Sequence, residues 1–234
     1  MAPRRNAVPE AEMQNRAFET IVFDLDGTLV DSVVDVANAV NRVLSDAGLA
    51  PIENSSRRQL LGEGARIRVR KAFAMRGSEL SETELDSLTR DFNRYYSDAL
   101  TDNTTPYEEV ADVLQTLGND GFRLAVCTNK DENSARKVLT ALGLMPPIED
   151  VAGPDTFGVQ KPDPRHLLGL VEKLGGNATS TLMVGDSRHD VETGRAAGIP
   201  VAVVDWGYTS VPASQLGGDY LLRRFSDLLK IVKK

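Results

Sequence analysis

Apolar positions along this chain follow two rhythms, one suited to strands and one to helices. Thr20–Asp24 is a short apolar run ending in a carboxylate, which predicts a buried strand. Ser32 reads as the N-cap of a helix running from Val33 to about Ala47 and stopped by Gly48. From Pro51 to about Asp102 the large residues fall at helical spacing: Ile67, Val69, Phe73, then Leu80, Leu85, Leu88, Phe92, Tyr95 and Tyr96. No strand pattern interrupts them, so this stretch is expected to be all helical. Pro106 then opens a predicted helix to about Leu117. A turn at Asn119–Gly121 leads into a strand over Arg123–Thr128. Helices follow at Glu132–Leu142, Pro164–Leu174 and Arg188–Ala197, with strands at Val151–Ala152, Thr181–Gly185 and Val201–Val204. Tyr220–Leu222 and Ser226–Val232 read as a last strand and a last helix.

Strands and helices thus alternate on either side of a helical insert. Such alternation implies a parallel sheet covered by helices on both faces, and right-handed crossovers make a doubly wound α/β (Rossmann-like) core the simplest solution.

Composition narrows the function. The 234 residues carry a formal net charge of -7, which argues against non-specific nucleic-acid binding. An anionic ligand must therefore meet locally positive groups: a metal, a lysine or helix N-termini. Cys127 is the one cysteine, so no internal disulfide forms. It is expected in the core, and the pattern suits a reducing cytoplasm. No apolar run reaches the roughly 18 residues of a membrane span. Met1–Glu12 is polar, holds Pro3 and Pro9, and reads as a disordered lead-in, not a signal peptide.

Four polar clusters fall just after predicted strands or in a loop between elements: Asp24–Thr28, Thr128–Lys130, Gln160–Pro162 and Gly185–Asp190. Ligands of open α/β sheets bind at the carboxyl ends of the strands, where these clusters can converge. Phosphoryl transfer needs a nucleophile, an acid or base, a divalent metal and donors to the phosphoryl oxygens. Asp24 and Asp26 stand two apart at a strand end, so one carboxylate can attack phosphorus and the other can move protons. Gly27 lets backbone approach a phosphate, while Thr28, Thr128 and Lys161 offer donors or charge. Asp186 and Asp190 add hard oxygen ligands of the kind that suits Mg²⁺. A calcium-loop reading of Asp24–Thr28 fails, because the later acidic positions are missing and the motif follows a strand.

The motifs FDLDGTLVDS (Phe23–Ser32), CTNK (Cys127–Lys130), QKPDP (Gln160–Pro164) and GDSRHD (Gly185–Asp190) resemble those of the haloacid dehalogenase superfamily, in its phosphoglycolate phosphatase-like branch. The resemblance implies a core at 17–33 and 103–234, a helical cap at 34–102 and a disordered lead-in at 1–16. It implies that Asp24 is the nucleophile and a Mg²⁺ ligand, and that Asp26 is the acid/base and offers its carbonyl to the metal. Asp186 would ligate Mg²⁺, and Asp190 would do so through water or orient a ligand. Gly27, Thr28, Thr128, Asn129 and Lys161 would hold the phosphoryl group. Dehalogenase members lack the second aspartate, so Asp26 disfavours carbon–halogen hydrolysis.

Gly62 and Gly64 match a glycine-bearing cap loop of the same branch. Arg66, Arg68, Arg70 and Lys71 follow; on a helix Arg66 and Arg70 share one face, and Arg68 and Lys71 another. One of these two pairs is expected to point into the cleft and read a substrate carboxylate, with Arg66 the leading single candidate, against a solvated basic face. Asp31 and Ser32 are expected to be helix caps, and His166 and His189 surface or loop positions. Lys130 would touch phosphate, orient Asp24 and Asp186, or lie at the surface, and Trp206–Tyr208 reads as a structural turn. The resemblance implies a cytoplasmic monomer or homodimer that hydrolyses a small phosphorylated metabolite, 2-phosphoglycolate foremost. A β-phosphoglucomutase-like transferase, a phosphosugar, nucleotide or pyrophosphate phosphatase, and a catalytically silent binding protein are the alternatives.

Overall fold

The computed structural model describes residues 16–61 and 64–233. The expected lead-in and Gly62 of the cap loop lie outside the described residues. A six-stranded sheet forms the centre. Its strands are β1 (Thr20–Phe23), β4 (Arg123–Cys127), β5 (Asp150–Ala152), β6 (Thr181–Gly185), β7 (Val201–Val204) and β8 (Tyr220–Leu222). They lie in the order β5-β4-β1-β6-β7-β8, every pair parallel. Ile21 sits beside Leu124 and Leu182, and Val22 beside Ala125 and Met183.

That register sends alternate residues into two separate cores. Ile21, Phe23, Leu124, Val126, Leu182 and Val184 join one cluster. Val22, Ala125, Cys127 and Met183 join the other. The central strands are consequently buried on both faces, which is why they read as unbroken apolar runs. Helices α4 (Val110–Asn119), α5 (Glu132–Ala141) and α9 (Asp227–Val232) cover the first face through Val113, Leu117, Val138 and Leu228. Helices α7 (Pro164–Lys173) and α8 (Arg188–Ala197) cover the second through Leu167, Leu170 and Val191. A single-turn helix, α6 (Pro154–Phe157), was not legible as an element.

The insert is helical as expected. Helix α1 (Val33–Asp46), a 3-10 turn (Asn54–Leu60), α2 (Ala65–Ala74) and α3 (Glu82–Asp98) pack on one another. Ser81 and Glu84 form a capping box at the start of α3. The insert leaves and rejoins the core through two short strands, β2 (Val30–Asp31) and β3 (Thr105–Pro106), paired antiparallel. Here the reading of Pro106 needs correction: it does not open a helix. The residue before a proline favours extended backbone, and pairing with β2 takes up that preference. Tyr107 N–H then donates to Leu29 O at 3.0 Å, and the helix begins only at Val110. Asp35, in the first turn of α1, reaches across to the returning chain. Its carboxylate accepts from the amides of Asn103 and Thr104 and from the Thr104 hydroxyl, at 2.7–3.1 Å.

Candidate active site

The carboxyl ends of β1, β4 and β6 meet at one edge of the sheet, and the four polar clusters meet there too. Asp24 follows β1 directly. Its Oδ1 accepts from Leu25 N–H at 2.7 Å and pairs with Lys161 Nζ at 2.9 Å. Among the described residues nothing donates to its Oδ2. Lys161 also donates to Asp190 Oδ1 at 2.6 Å, so one ammonium holds carboxylates from two loops. Asp24, Asp186 and Asp190 each place an oxygen within 4.8 Å of the others'. Asp190 is fixed by the Ser187 hydroxyl, which donates to its Oδ2 at 2.7 Å at the start of α8. Asp186 Oδ2 accepts from Tyr208 N–H at 2.7 Å.

Burial raises the Asp24 carboxyl to about 6; Lys161 opposes this and Asp190 adds to it. Asp186 is held well above the carboxylate range by burial and then by Asp190 and Asp24. Three enclosed oxygen donors with one lysine among them are an electrostatic deficit that a divalent cation removes. The donor set fits Mg²⁺, a hard ion that takes few protein carboxylates.

Asp26 stands in a different environment. Its Oδ1 accepts from Lys130 Nζ and from the Ser32 hydroxyl, both at 2.6 Å, and its Oδ2 accepts from no described residue. Burial works against its ionised form, but Lys130 and Ser32 together hold it below the usual carboxylate range. Lys130 also donates to Tyr96 Oη, on α3, at 2.7 Å. The lysine is thus enclosed, and it orients Asp26 in place of Asp24 and Asp186. Ser32 precedes α1, but its hydroxyl serves Asp26 and makes no cap bond. Asp31 Oδ1 accepts instead from Val33 N–H at 3.2 Å and from Tyr208 Oη at 2.9 Å. Tyr208 therefore bridges the Asp31–Ser32 turn and Asp186, a task its place in a post-strand turn did not reveal.

Gly27 has φ +89, and a Cβ there would lie 2.5 Å from Asp186 Oδ2. Both the turn and the approach of the two loops need glycine. Thr28 next to it is fully buried, and its hydroxyl finds no partner among the described residues. It is not among the residues that line the cleft. Thr128 lines the cleft. Asn129 lines it also, yet its side chain is committed to the main chain of Lys161, accepting from N–H at 2.9 Å and donating to the carbonyl at 3.1 Å. It positions the lysine.

The insert closes the cleft, which has a volume of about 390 Å³. Gly64, at φ +81, precedes α2 and brings the insert near the Asn129 carbonyl. Arg66 lines the cleft, but its guanidinium is paired with Glu82 and Asp86. The arginine turned inward is Arg68, 7 % exposed, with Nε donating to Leu60 O at 2.9 Å. Helical spacing separated these two faces correctly; it could not say which one packs on Phe92. His166 is another correction, being fully buried in α7.

The chain belongs to the haloacid dehalogenase-like hydrolases, whose family model matches residues 21–204. The phosphoglycolate phosphatase of Agrobacterium fabrum is 40% identical over 207 residues, covering 88% of this chain and 89% of the relative. That of Aquifex aeolicus is 35% identical over 212 residues, with 91% and 95% covered. A crystal structure of a predicted phosphoglycolate phosphatase from Haemophilus somnus superposes with a TM-score of 0.84 at 32% identity, covering 92% of this chain and 98% of that one. No helix among the described residues is long and apolar enough to cross a membrane.

Proposed function

We propose that the protein is a Mg²⁺-dependent phosphate monoester hydrolase that forms an aspartyl-phosphate on Asp24 and acts on 2-phosphoglycolate. The observation that carries this reading is the contrast between two carboxylates two residues apart. Asp24 belongs to the oxygen cluster with Asp186 and Asp190, whereas Asp26 is held outside it by Lys130 and Ser32. Each keeps one oxygen that accepts from no described residue.

In the first step Asp24 Oδ2 attacks phosphorus, the bond from phosphorus to the leaving oxygen breaks, and that oxygen takes a proton from Asp26. The phosphoryl dianion arriving beside Asp26 favours its protonated form. In the second step Asp26 takes a proton from water as the water oxygen attacks the same phosphorus. The bond from phosphorus to Asp24 breaks, releasing phosphate and restoring both carboxyls. Lys161 and the Thr128 hydroxyl stabilise charge on the phosphoryl oxygens. Asp24 and Asp186, with the Asp26 carbonyl and Asp190 in support, would hold Mg²⁺, which when bound supplies Lewis-acid stabilisation of the phosphoryl group.

The substrate is suggested by the relatives named phosphoglycolate phosphatase and by a cleft suited to a small ligand. A panel of phosphorylated metabolites assayed with Mg²⁺ and with chelator tests the reading. Turnover that needs Mg²⁺ and falls by a factor of about 10³ or more in Asp24→Asn is expected. Equal phosphate release by variant and wild type would remove Asp24 from its role.

A further inference from the structure

We propose that Arg68 is the specificity-determining residue for the leaving group: it binds a substrate carboxylate, so that phosphorylated hydroxy acids are preferred over neutral phosphate esters. The inference rests on the phosphatase reading and adds to it a residue and the charge that residue recognises.

The first support is position. Arg68 lines the same cleft as Asp24 and Asp26, and it comes from the insert, opposite the phosphoryl site. Its Nε is fixed on Leu60 O, and its guanidinium carbon lies 5.2 Å from the centre of the Phe92 ring. These contacts set the plane of the group. Its two terminal nitrogens make no hydrogen bond to a described residue.

The second support is charge. Lys161 is matched by Asp24 and Asp190, and Lys130 by Asp26. On the same helix, Arg66 is matched by Glu82 and Asp86, and Arg70 by Glu82. Arg68 has no carboxylate within ion-pair distance among the described residues; Asp26, already paired with Lys130, acts on it only from farther off. A cation so enclosed is costly until a counter-charge arrives, and a carboxylate meets the guanidinium fork with two parallel hydrogen bonds.

The third support is the path of the leaving group. Asp26 protonates the leaving oxygen, so whatever is attached to that oxygen continues past Asp26 toward the insert. Lys130 and Tyr96 stand beside Asp26, with Arg68 and Phe92 beyond them on the insert side. A short acid such as the glycolate portion of phosphoglycolate places its charge toward that group.

The test compares 2-phosphoglycolate with ethyl phosphate, which carries a methyl in place of the carboxylate, in wild type, Arg68→Met, Arg68→Lys and Arg66→Ala. Wild type is expected to favour phosphoglycolate in kcat/KM by about 10-fold or more. Arg68→Met should lower kcat/KM for phosphoglycolate by roughly 100-fold, chiefly through KM, and alter ethyl phosphate by less than about threefold. Arg68→Lys should fall between, and Arg66→Ala should stay within about threefold on both esters. Binding gives a readout free of turnover: 3-phosphonopropionate should bind wild type about 10-fold more tightly than propylphosphonate, a ratio that collapses in Arg68→Met. Parallel losses on both esters, or an unchanged binding ratio, overturn the inference. Hydrolysis of both esters without preference overturns it while leaving the phosphatase reading standing; hydrolysis of neither overturns both.

Discussion

His166 shows how much a single side chain can conceal from its neighbours in sequence. It follows Pro164 and Arg165 in a polar stretch, yet helix α7 turns it onto the sheet, beside Leu167 and with Phe157 edge-on at 6.5 Å. Neither ring nitrogen completes a hydrogen bond of normal geometry among the described residues. Burial, and then repulsion from Lys161, lowers its pKa from 6.5 to about 4. Between those values the unfolded chain holds the proton and the folded chain does not, so stability falls as pH falls through this window. From pH 7 to pH 5 wild type should lose about 2 kcal/mol more than His166→Leu, measured by urea unfolding. Equal losses in the two proteins would show that the imidazole titrates normally. Arg66 and Arg68 teach a related lesson. Periodicity separates their faces, but only the packing of α2 on α3 decides that Arg68 meets Phe92 while Arg66 pairs with Glu82 and Asp86.

At the scale of elements, the central strands were legible because they are buried on both faces and bounded by turn residues. The helices of the insert were legible from spacing alone. What misled was Pro106, since a proline fits both the first turn of a helix and a short edge strand. The choice depends on Val30, which is 76 residues away in sequence and beside Pro106 in space. The antiparallel pair carries the insert out of the core and back, and Asp35 binds the two crossings together. Its carboxylate satisfies two amides and a hydroxyl of Asn103 and Thr104, so Asp35→Ala should leave the two enclosed donors of Thr104 unpaired. The expected cost is about 2–4 kcal/mol of stability, with Asp35→Asn recovering part of it, read from denaturant unfolding. A loss below about 0.5 kcal/mol would mean the crossings are held by β2 and β3 alone.

For the whole molecule, the cleft is lined from two bodies of sequence, the sheet edge and the insert. The sheet edge collects Asp24, Asp26, Thr128, Lys161, Asp186 and Asp190, and nearly all of this was readable because each motif follows a strand or opens a helix. The insert contributes Arg68, which the sequence offered only as a member of one of two basic pairs, and Tyr96, which the spacing placed in an apolar series. Lys130 joins the halves, touching Asp26 of the core and Tyr96 of the insert through one ammonium.

The proposed chemistry turns on Asp24 carrying the phosphoryl group. Acid quenching during turnover of 2-phosphoglycolate with Mg²⁺, followed by tritiated borohydride reduction and peptide mapping, tests this directly. An aspartyl-phosphate is reduced to homoserine, so labelled homoserine is expected at position 24, dependent on substrate and absent from Asp24→Asn. Steady turnover with no label at position 24, or with the label at another aspartate, would contradict it.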